Sequence, residues 1–426
     1  MNDVYIIGSY STQFKRWPEK SIKDLTRMAC TGTLQDSGIE AKDIDFAWFS
    51  NCGWGYSLPA SDKAPAVPGQ MNVRGQVALA PLVNEGLFPK RVPVISVEGA
   101  CASGSLAFHG ACKDILSGQV DVSLAVGVEK TFYPDHLAQV IEMFYGGTDT
   151  SRLNELFKMH ADIGSETGKE WSTSPSHTLF MDIYANMAAW HMKKYGTTEK
   201  QLAIAASKNH MHGSLNPLAQ YQFEVPVEKV MADYMVSWPL TRSMCAPLGD
   251  GAAAAILCSG KYLRGLPASI KKRAVRVLAC SPASGYEHAM GEPSTTHWAA
   301  ERAYKDAGRL PEDIDCAEVH DATVFAELHQ LEQLGFCPMG EGGKFTESGA
   351  TRFDGSKPVN TSGGLESKGH PIGATGLSQI NEVATQLRGE AGKRQVKNAK
   401  TGLVENGGGI VGFEEFCCVI TILGNK

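Results

Sequence analysis

A chain of 426 residues, 43% of them hydrophobic, can bury a large core across two or three domain-sized units, which excludes a small scaffold stapled by disulfides or a metal. Forty basic against 46 acidic side chains leave a formal net charge of −6 with no long block of one sign. Nothing therefore resembles a nucleic-acid-binding arm or a polybasic membrane patch, and the expected partner is a small molecule or a protein. The first residues lack the basic and apolar regions of a secretory signal. No apolar run approaches the ~18 to 20 residues of a bilayer span. Eleven cysteines without a C-x-x-C pair fit a reducing compartment, so a soluble cytoplasmic protein without a metal site is expected.

In chain order, short apolar runs at 4–8, 92–97, 122–128, 275–279 and 417–423 alternate with helix-period segments, the pattern of an α/β architecture with buried sheets. The stretch Asp36-Ser37-Gly38-Ile39-Glu40-Ala41-Lys42-Asp43-Ile44-Asp45-Phe46-Ala47 returns 270 positions later as Asp306-Ala307-Gly308-Arg309-Leu310-Pro311-Glu312-Asp313-Ile314-Asp315-Cys316-Ala317. Pro93-Val94-Ile95-Ser96-Val97 leads to Cys101, and Pro358-Val359-Asn360-Thr361-Ser362 leads to His370, 269 positions after Cys101. Two correspondences at one spacing predict duplicated halves packed about a pseudo-two-fold axis, with Cys101 and His370 facing each other at equivalent strand-to-helix junctions.

Residues 131–225 are rich in Met, His and aromatic side chains and lack strand alternation, so they are expected to form an inserted, mainly helical domain. Helices are expected at 185–194 and 201–209, and a polar loop at 149–176. The first half then comprises 1–130 and 226–262, and the second half 263–426. Residues 249–257 form the returning turn and strand, and 260–273 the linker.

Four segments carry chemistry. In Glu98-Gly99-Ala100-Cys101-Ala102-Ser103-Gly104-Ser105-Leu106-Ala107 a strand ends, small residues turn and a helix begins, a place where helix N–H groups lend a cysteine thiolate character. The Cys101 N–H can also hold an oxyanion. A lone cysteine in such a turn is, by several to one, more often a buried hydrophobe. The second segment runs from Asn360 to Gly376, where His370 precedes Pro371 and is pushed out of the helical region, as a general base requires. A phosphate loop is disfavoured by the position of Lys368. Third, His320 and Asp321 end a strand just before a helix, and a purely structural His–Asp pair competes evenly with a catalytic one. Fourth, Val404-Glu405-Asn406-Gly407-Gly408-Gly409-Ile410-Val411-Gly412 is a turn whose N–H groups, that of Gly407 included, can approach developing negative charge.

Together these segments resemble the thiolase superfamily over almost the whole chain. Gly99-Ala100-Cys101-Ala102-Ser103-Gly104 is similar to its nucleophile segment, Gly369-His370-Pro371-Ile372-Gly373-Ala374-Thr375-Gly376 to its most specific signature, and Gly249-Asp250-Gly251-Ala252-Ala253-Ala254 to a third. His320-Asp321 resembles the His-Asp-Cys-Phe element of the sterol-carrier-protein branch. The resemblance implies a five-layered α/β/α/β/α fold, a coenzyme A tunnel lined by the insertion, and oligomers built on a core homodimer. It implies Cys101 as nucleophile, His370 as its base, His320 as enolate stabiliser, and the N–H groups of Cys101 and Gly407 as oxyanion hole. Ser243, Ala246, Ser362 and Met181 are the implied coenzyme A contacts. Coenzyme A is then a cosubstrate, with no permanently bound cofactor.

The second cysteine of ordinary thiolases is missing: Ala322 stands at one family position and Glu405 at the other. Glu405 is therefore expected to supply or organise the acid/base function. A small zinc-binding OB-fold partner subunit is expected, and an aromatic or branched 3-oxoacyl-CoA such as 2-benzoylsuccinyl-CoA is one candidate substrate. The alternatives are a decarboxylating condensing enzyme with a Cys-His-His set, a thiolase-like aldolase, and a scaffold subunit that only binds acyl-CoA.

Overall fold

The structure, a computed structural model, describes residues 3–53 and 72–425. The first half begins with β1 (Val4–Ser11), α1 (Ile22–Ser37), β2 (Phe46–Ser50), α2 (Arg74–Asn84), β3 (Val94–Val97), α3 (Ser103–Ser117) and β4 (Val122–Glu129). Ser21 and Asp24 start α1 with a reciprocal capping box, and Gly38 ends it in the left-handed conformation. Between β4 and β7 the chain forms α4 (Leu137–Met143), α5 (Leu153–Thr167), α6 (Leu179–Tyr195), α7 (Glu199–Ser214), α8 (Val227–Met231) and the hairpin β5 (Met235–Ser237) to β6 (Leu240–Thr241), before β7 (Gly251–Ser259) rejoins the sheet.

The expected linker folds as α9 (Gly260–Gly265) and α10 (Ala268–Arg273). The second half follows as β8 (Val275–Ser284), α11 (Thr295–Ala307), β9 (Cys316–Glu318), α12 (Val324–Gln333), α13 (Gly342–Glu347), α14 (Gly364–Lys368), α15 (Thr375–Arg388), β10 (Thr401–Gly408) and β11 (Cys417–Gly424).

One nine-stranded sheet runs β3-β2-β4-β7-β1-β8-β11-β10-β9. Outward from the antiparallel β1–β8 seam, the first half reads β1, β7, β4, β2, β3 and the second β8, β11, β10, β9. The counterpart of β3 is reduced to one parallel bridge between Ala317 and Val359. The repeat reaches individual hydrogen bonds. Asp45 Oδ2 accepts the N–H groups of Asp121 and Val122, both at 3.0 Å, and Asp315 Oδ2 accepts those of Lys400 and Thr401 at 2.8 and 2.9 Å.

Three apolar clusters define five layers. α1 and α2 cover the first half through Leu25, Leu79 and Leu82, and α11 and α12 cover the second through Ala299, Ala303 and Leu331. α3 and α15 fill the middle with Phe108, Ile115, Leu377 and Ile380. These central helices touch backbone to backbone. A Cβ at Gly104 would lie 3.0 Å from the Leu377 nitrogen, and one at Gly376 2.7 Å from the Ser105 nitrogen, so only glycine permits the crossing.

The polar loop expected at 149–176 is instead largely α5. Leu156, His160 and Gly164 are buried, with Leu153, Phe157 and Ile163 packed against the insertion's core. Charged residues on the outer face masked this apolar stripe in a simple polarity reading. Val230, Leu240 and Met244 share that same core, so the chain between α8 and β7 packs with the inserted helices. Among the described residues no helix is long and apolar enough to cross a membrane.

Candidate active site

β3 delivers the chain to a tight turn in which Ala100 takes φ = 48°, a conformation L side chains rarely adopt. Ser103 Oγ closes the turn, donating to the Ala100 carbonyl at 2.6 Å and accepting the Gly99 N–H at 2.9 Å. Cys101 sits in the short 3-10 turn that enters α3. Its Sγ is 3.2 Å from His370 Nε2. Burial pushes the thiol up to about 12, against the lowering effect of hydrogen bonds from the Gly409 and Cys101 amides. The helix start therefore does not hold a thiolate at rest, because desolvation outweighs it.

His370 Nδ1 lies 2.7 Å from Thr375 Oγ1, whose single proton is directed to the Pro371 carbonyl at 3.1 Å. The assignment that satisfies both contacts puts the imidazole proton on Nδ1 and leaves Nε2 as an acceptor facing the thiol. Burial, then the neighbouring His320, hold His370 well below the usual histidine range. Thiol and imidazole thus rest as a neutral pair.

His320 follows β9, its ring centroid 5.1 Å from that of His370. Its N–H donates to Glu405 Oε2 at 2.7 Å, while among the described residues neither ring nitrogen has a hydrogen-bond partner, although the residue is only 2% exposed. Burial lowers it to about 4. Asp321 turns elsewhere, accepting the Leu365 N–H at 2.9 Å and Asn209 Nδ2 at 3.1 Å. The sulfur and one nitrogen of each histidine lie within 4.8 Å of one another, close enough to share a metal ion. Their separation along the chain hides this set from any reading of ligand spacing.

Residues 4–236 match the thiolase N-terminal domain and residues 286–423 the thiolase C-terminal domain-like family. The chain belongs to the thiolase family. Over 417 residues it is 37% identical to the acetyl-CoA acetyltransferase of Methanothermobacter thermautotrophicus, covering 97% of this chain and 98% of that one. It is 37% identical to sterol carrier protein 2 of Bos taurus over 423 residues, 96% of this chain and 71% of that one. With the benzoylsuccinyl-CoA thiolase subunit BbsB of Thauera aromatica it shares 32% identity over 399 residues, 92% and 91% of the two chains. Among solved structures, an Ltp2-ChsH2(DUF35) aldolase matches with a TM-score of 0.72 at 20% identity over 99% of this chain and 97% of that one, a likeness of fold. This thiolase is an acyltransferase.

Cys101, His320 and His370 open onto a cavity walled mainly by Phe144, Phe180, Met181, Tyr184, Leu248 and Ala322. Of the implied coenzyme A contacts, Met181 and Ala246 line it. Ser243 directs its hydroxyl to Asp233 Oδ2 at 2.6 Å, and Ser362 commits its hydroxyl and N–H to Glu318 at 2.5 and 3.0 Å. Glu405 lies behind the His320 main chain, takes the Cys418 thiol at 3.5 Å, and is pushed up to about 8 by burial and then by Glu415.

The Gly407 amide turns to the Glu405 carboxyl, whereas the Gly409 amide faces Cys101. Between them, a Cβ on Gly408 would meet the Gly99 carbonyl at 2.3 Å and the Ala102 nitrogen at 2.4 Å, so this strand end packs directly on the Cys101 turn. Sequence reasoning also missed Glu129. It ends a strand buried throughout and accepts Asn51 Nδ2 and the N–H groups of Cys52, Gly53 and Gly373 at 2.8 to 3.1 Å. A carboxylate closing a strand that is apolar but for Ser123 was the available signal.

Proposed function

We propose that this thiolase carries an acyl group on Cys101 while it cleaves, or in reverse forms, the C2–C3 bond of a 3-oxoacyl-CoA. The observation that carries the reading is the 3.2 Å approach of Cys101 Sγ to His370 Nε2 beside the Gly409 amide. His370 takes the thiol proton as sulfur attacks the 3-keto carbon, and the Cys101 and Gly409 N–H groups receive the oxyanion. Collapse breaks the C2–C3 bond, and His320, whose ring nitrogens await a partner, donates to the enolate oxygen. The thiol of coenzyme A then removes the acyl group from Cys101, so coenzyme A is a cosubstrate and no resident cofactor takes part.

Met181 and Ala246 flank the path of the thioester arm. The aromatic wall of Phe144, Phe180 and Tyr184 suits an aromatic or branched acyl group, such as that named for the Thauera aromatica relative. Glu405 organises His320 through its main chain. The two halves and the insertion serve as scaffold and substrate cover respectively. β3 is an edge strand with Ile95 41% exposed, an edge that a second copy of this chain would protect in a core dimer. A small zinc-binding subunit is proposed beside it, in line with the DUF35 component in the name of the aldolase neighbour.

The test is intact-protein mass spectrometry after incubation with a panel of 3-oxoacyl-CoA esters. An acyl adduct that maps to Cys101 and is discharged by coenzyme A is expected. No adduct with any ester, or carbon dioxide release from a malonyl thioester instead, would refute the reading.

A further inference from the structure

Cleavage of the C2–C3 bond leaves an enolate whose carbon must gain a proton, and the groups already placed do not supply it. His370 holds the proton of Cys101 until the thiolate is released again. His320 faces the enolate oxygen, and Glu405 sits behind the His320 main chain with its oxygens turned to that N–H and to Cys418. Ala322, in the cavity wall, carries no acid.

Tyr184 answers this vacancy. It lies one helical turn after Met181 on α6, so both side chains reach the same cavity. The residue is 4% exposed, yet among the described residues its hydroxyl has no hydrogen-bond partner. Buried phenols ordinarily find one. Tyr184 lines the same cavity as Cys101, His320 and His370.

Resting on the thiolysis proposed above, we infer that Tyr184 protonates the enolate carbon during cleavage and removes that proton during condensation. Burial, ahead of the nearby acidic groups Glu415, Cys101, Glu405 and Asp321, raises the phenol well above its usual range, so it keeps its proton at neutral pH. The protons balance. The Tyr184 hydroxyl proton passes to C2, which takes the electron pair of the broken bond. The thiol of coenzyme A then loses its proton to the tyrosinate as its sulfur attacks acyl-Cys101. His370 returns its proton to the released Cys101 thiolate.

Tyr184→Phe separates this role from packing, because acyl exchange between thioesters uses Cys101 and His370 without touching an α-carbon. The ester that acylates wild-type Cys101 fastest in the panel above serves for cleavage. The product that carries the former 3-keto carbon serves for acylation of Cys101, and the other product, the CoA thioester whose α-carbon was C2, serves for exchange of α-hydrogens in deuterium oxide. The variant should be acylated by the acyl-CoA within about threefold of the wild-type rate, while cleavage and α-exchange fall roughly a hundredfold or more. Cleavage and exchange within threefold of wild type would overturn the assignment. So would a parallel fall in acylation, which would mark Tyr184 as a wall of the cavity. Absence of a Cys101 adduct in the wild type would instead sink the thiolase chemistry itself, and Tyr184's part with it.

Discussion

The Cys101 turn and the His370 turn occupy equivalent places in the two halves and are held by different means. The Cys101 turn is held from its own half, with Ser103 bonded to Gly99 and Ala100, Glu98 Oε1 on the Ala100 N–H at 2.6 Å and Cys52 Sγ donating to the Ala100 carbonyl at 2.9 Å. The His370 loop is pinned from elsewhere by three buried carboxyl groups: Glu318 on Ser362, Asp321 on Leu365 and Glu129 on Gly373. Two of these reach from the end of β9 and the residues after it, and the third crosses from the first half. A thiol needs aim and a nearby amide, which a local turn provides. A base must keep one tautomer at one distance, and that takes an over-determined loop.

The largest effects test whether both turns are chemically indispensable. Cys101→Ala deletes the bond-forming atom, so the acyl adduct should vanish and acyl transfer fall by at least about 10³-fold. His370→Ala should keep the adduct site but slow acylation by roughly 10²–10⁴-fold. Single-turnover mass spectrometry measures both, with melting temperatures near wild type expected for each. Label on another cysteine in Cys101→Ala, or less than a tenfold loss in His370→Ala, would break the pairing of the two turns.

What was legible in the sequence was local or repeated. The copy of residues 36–47 at 306–317 was readable because capping and turn residues act within a few positions, and it became the mirrored strand order of the sheet. Cys101 and His370 stood out because small residues and a following proline mark their turns. The register of Gly407-Gly408-Gly409 was not readable, since three identical residues conceal which amide faces the sulfur. Tyr184 and Glu129 were invisible because their meaning comes from what packs around them: one is a plain helical aromatic and the other a strand-end acid until the cavity and the crossing loop are assembled. The α5 stripe was lost to the charges on its outer face.

A smaller effect sharpens the view of Glu405 as support for the histidine side. Its carboxyl is raised from 4.5 to about 8, by burial first and Glu415 second. The native state thus keeps a proton that the unfolded chain releases, so this group's contribution to stability is fully present below about pH 4.5 and is lost as the pH rises through about 8. In Glu405→Gln that loss is removed, because the amide does not ionise, while its oxygen can still accept the His320 N–H. Melting temperature followed from pH 5 to 9 should fall less steeply in the variant, by a few degrees over the range, and acylation of Cys101 should stay within about tenfold. An equal or steeper fall would show that Glu405 is ionised in the native protein.

The smallest effect asks whether the duplication survives as an energetic symmetry. Asp45 and Asp315 each accept two backbone N–H groups at the start of a neighbouring strand, β4 in one half and β10 in the other. In each half the aspartate's own N–H also donates back, to Val122 at 3.0 Å and to Thr401 at 2.9 Å. The surroundings are partly solvated, so water replaces some of what is lost. Asp45→Ala and Asp315→Ala should therefore each cost roughly 1–2 kcal/mol, read from denaturant midpoints at constant slope. The two carboxylates sit in different halves with no shared partner, so the double variant should add within about 0.5 kcal/mol. A difference between the single variants above about 1 kcal/mol would mean that one half has shifted its load onto other contacts, with the second half the expected candidate because its loop is already tied down by Glu318, Asp321 and Glu129.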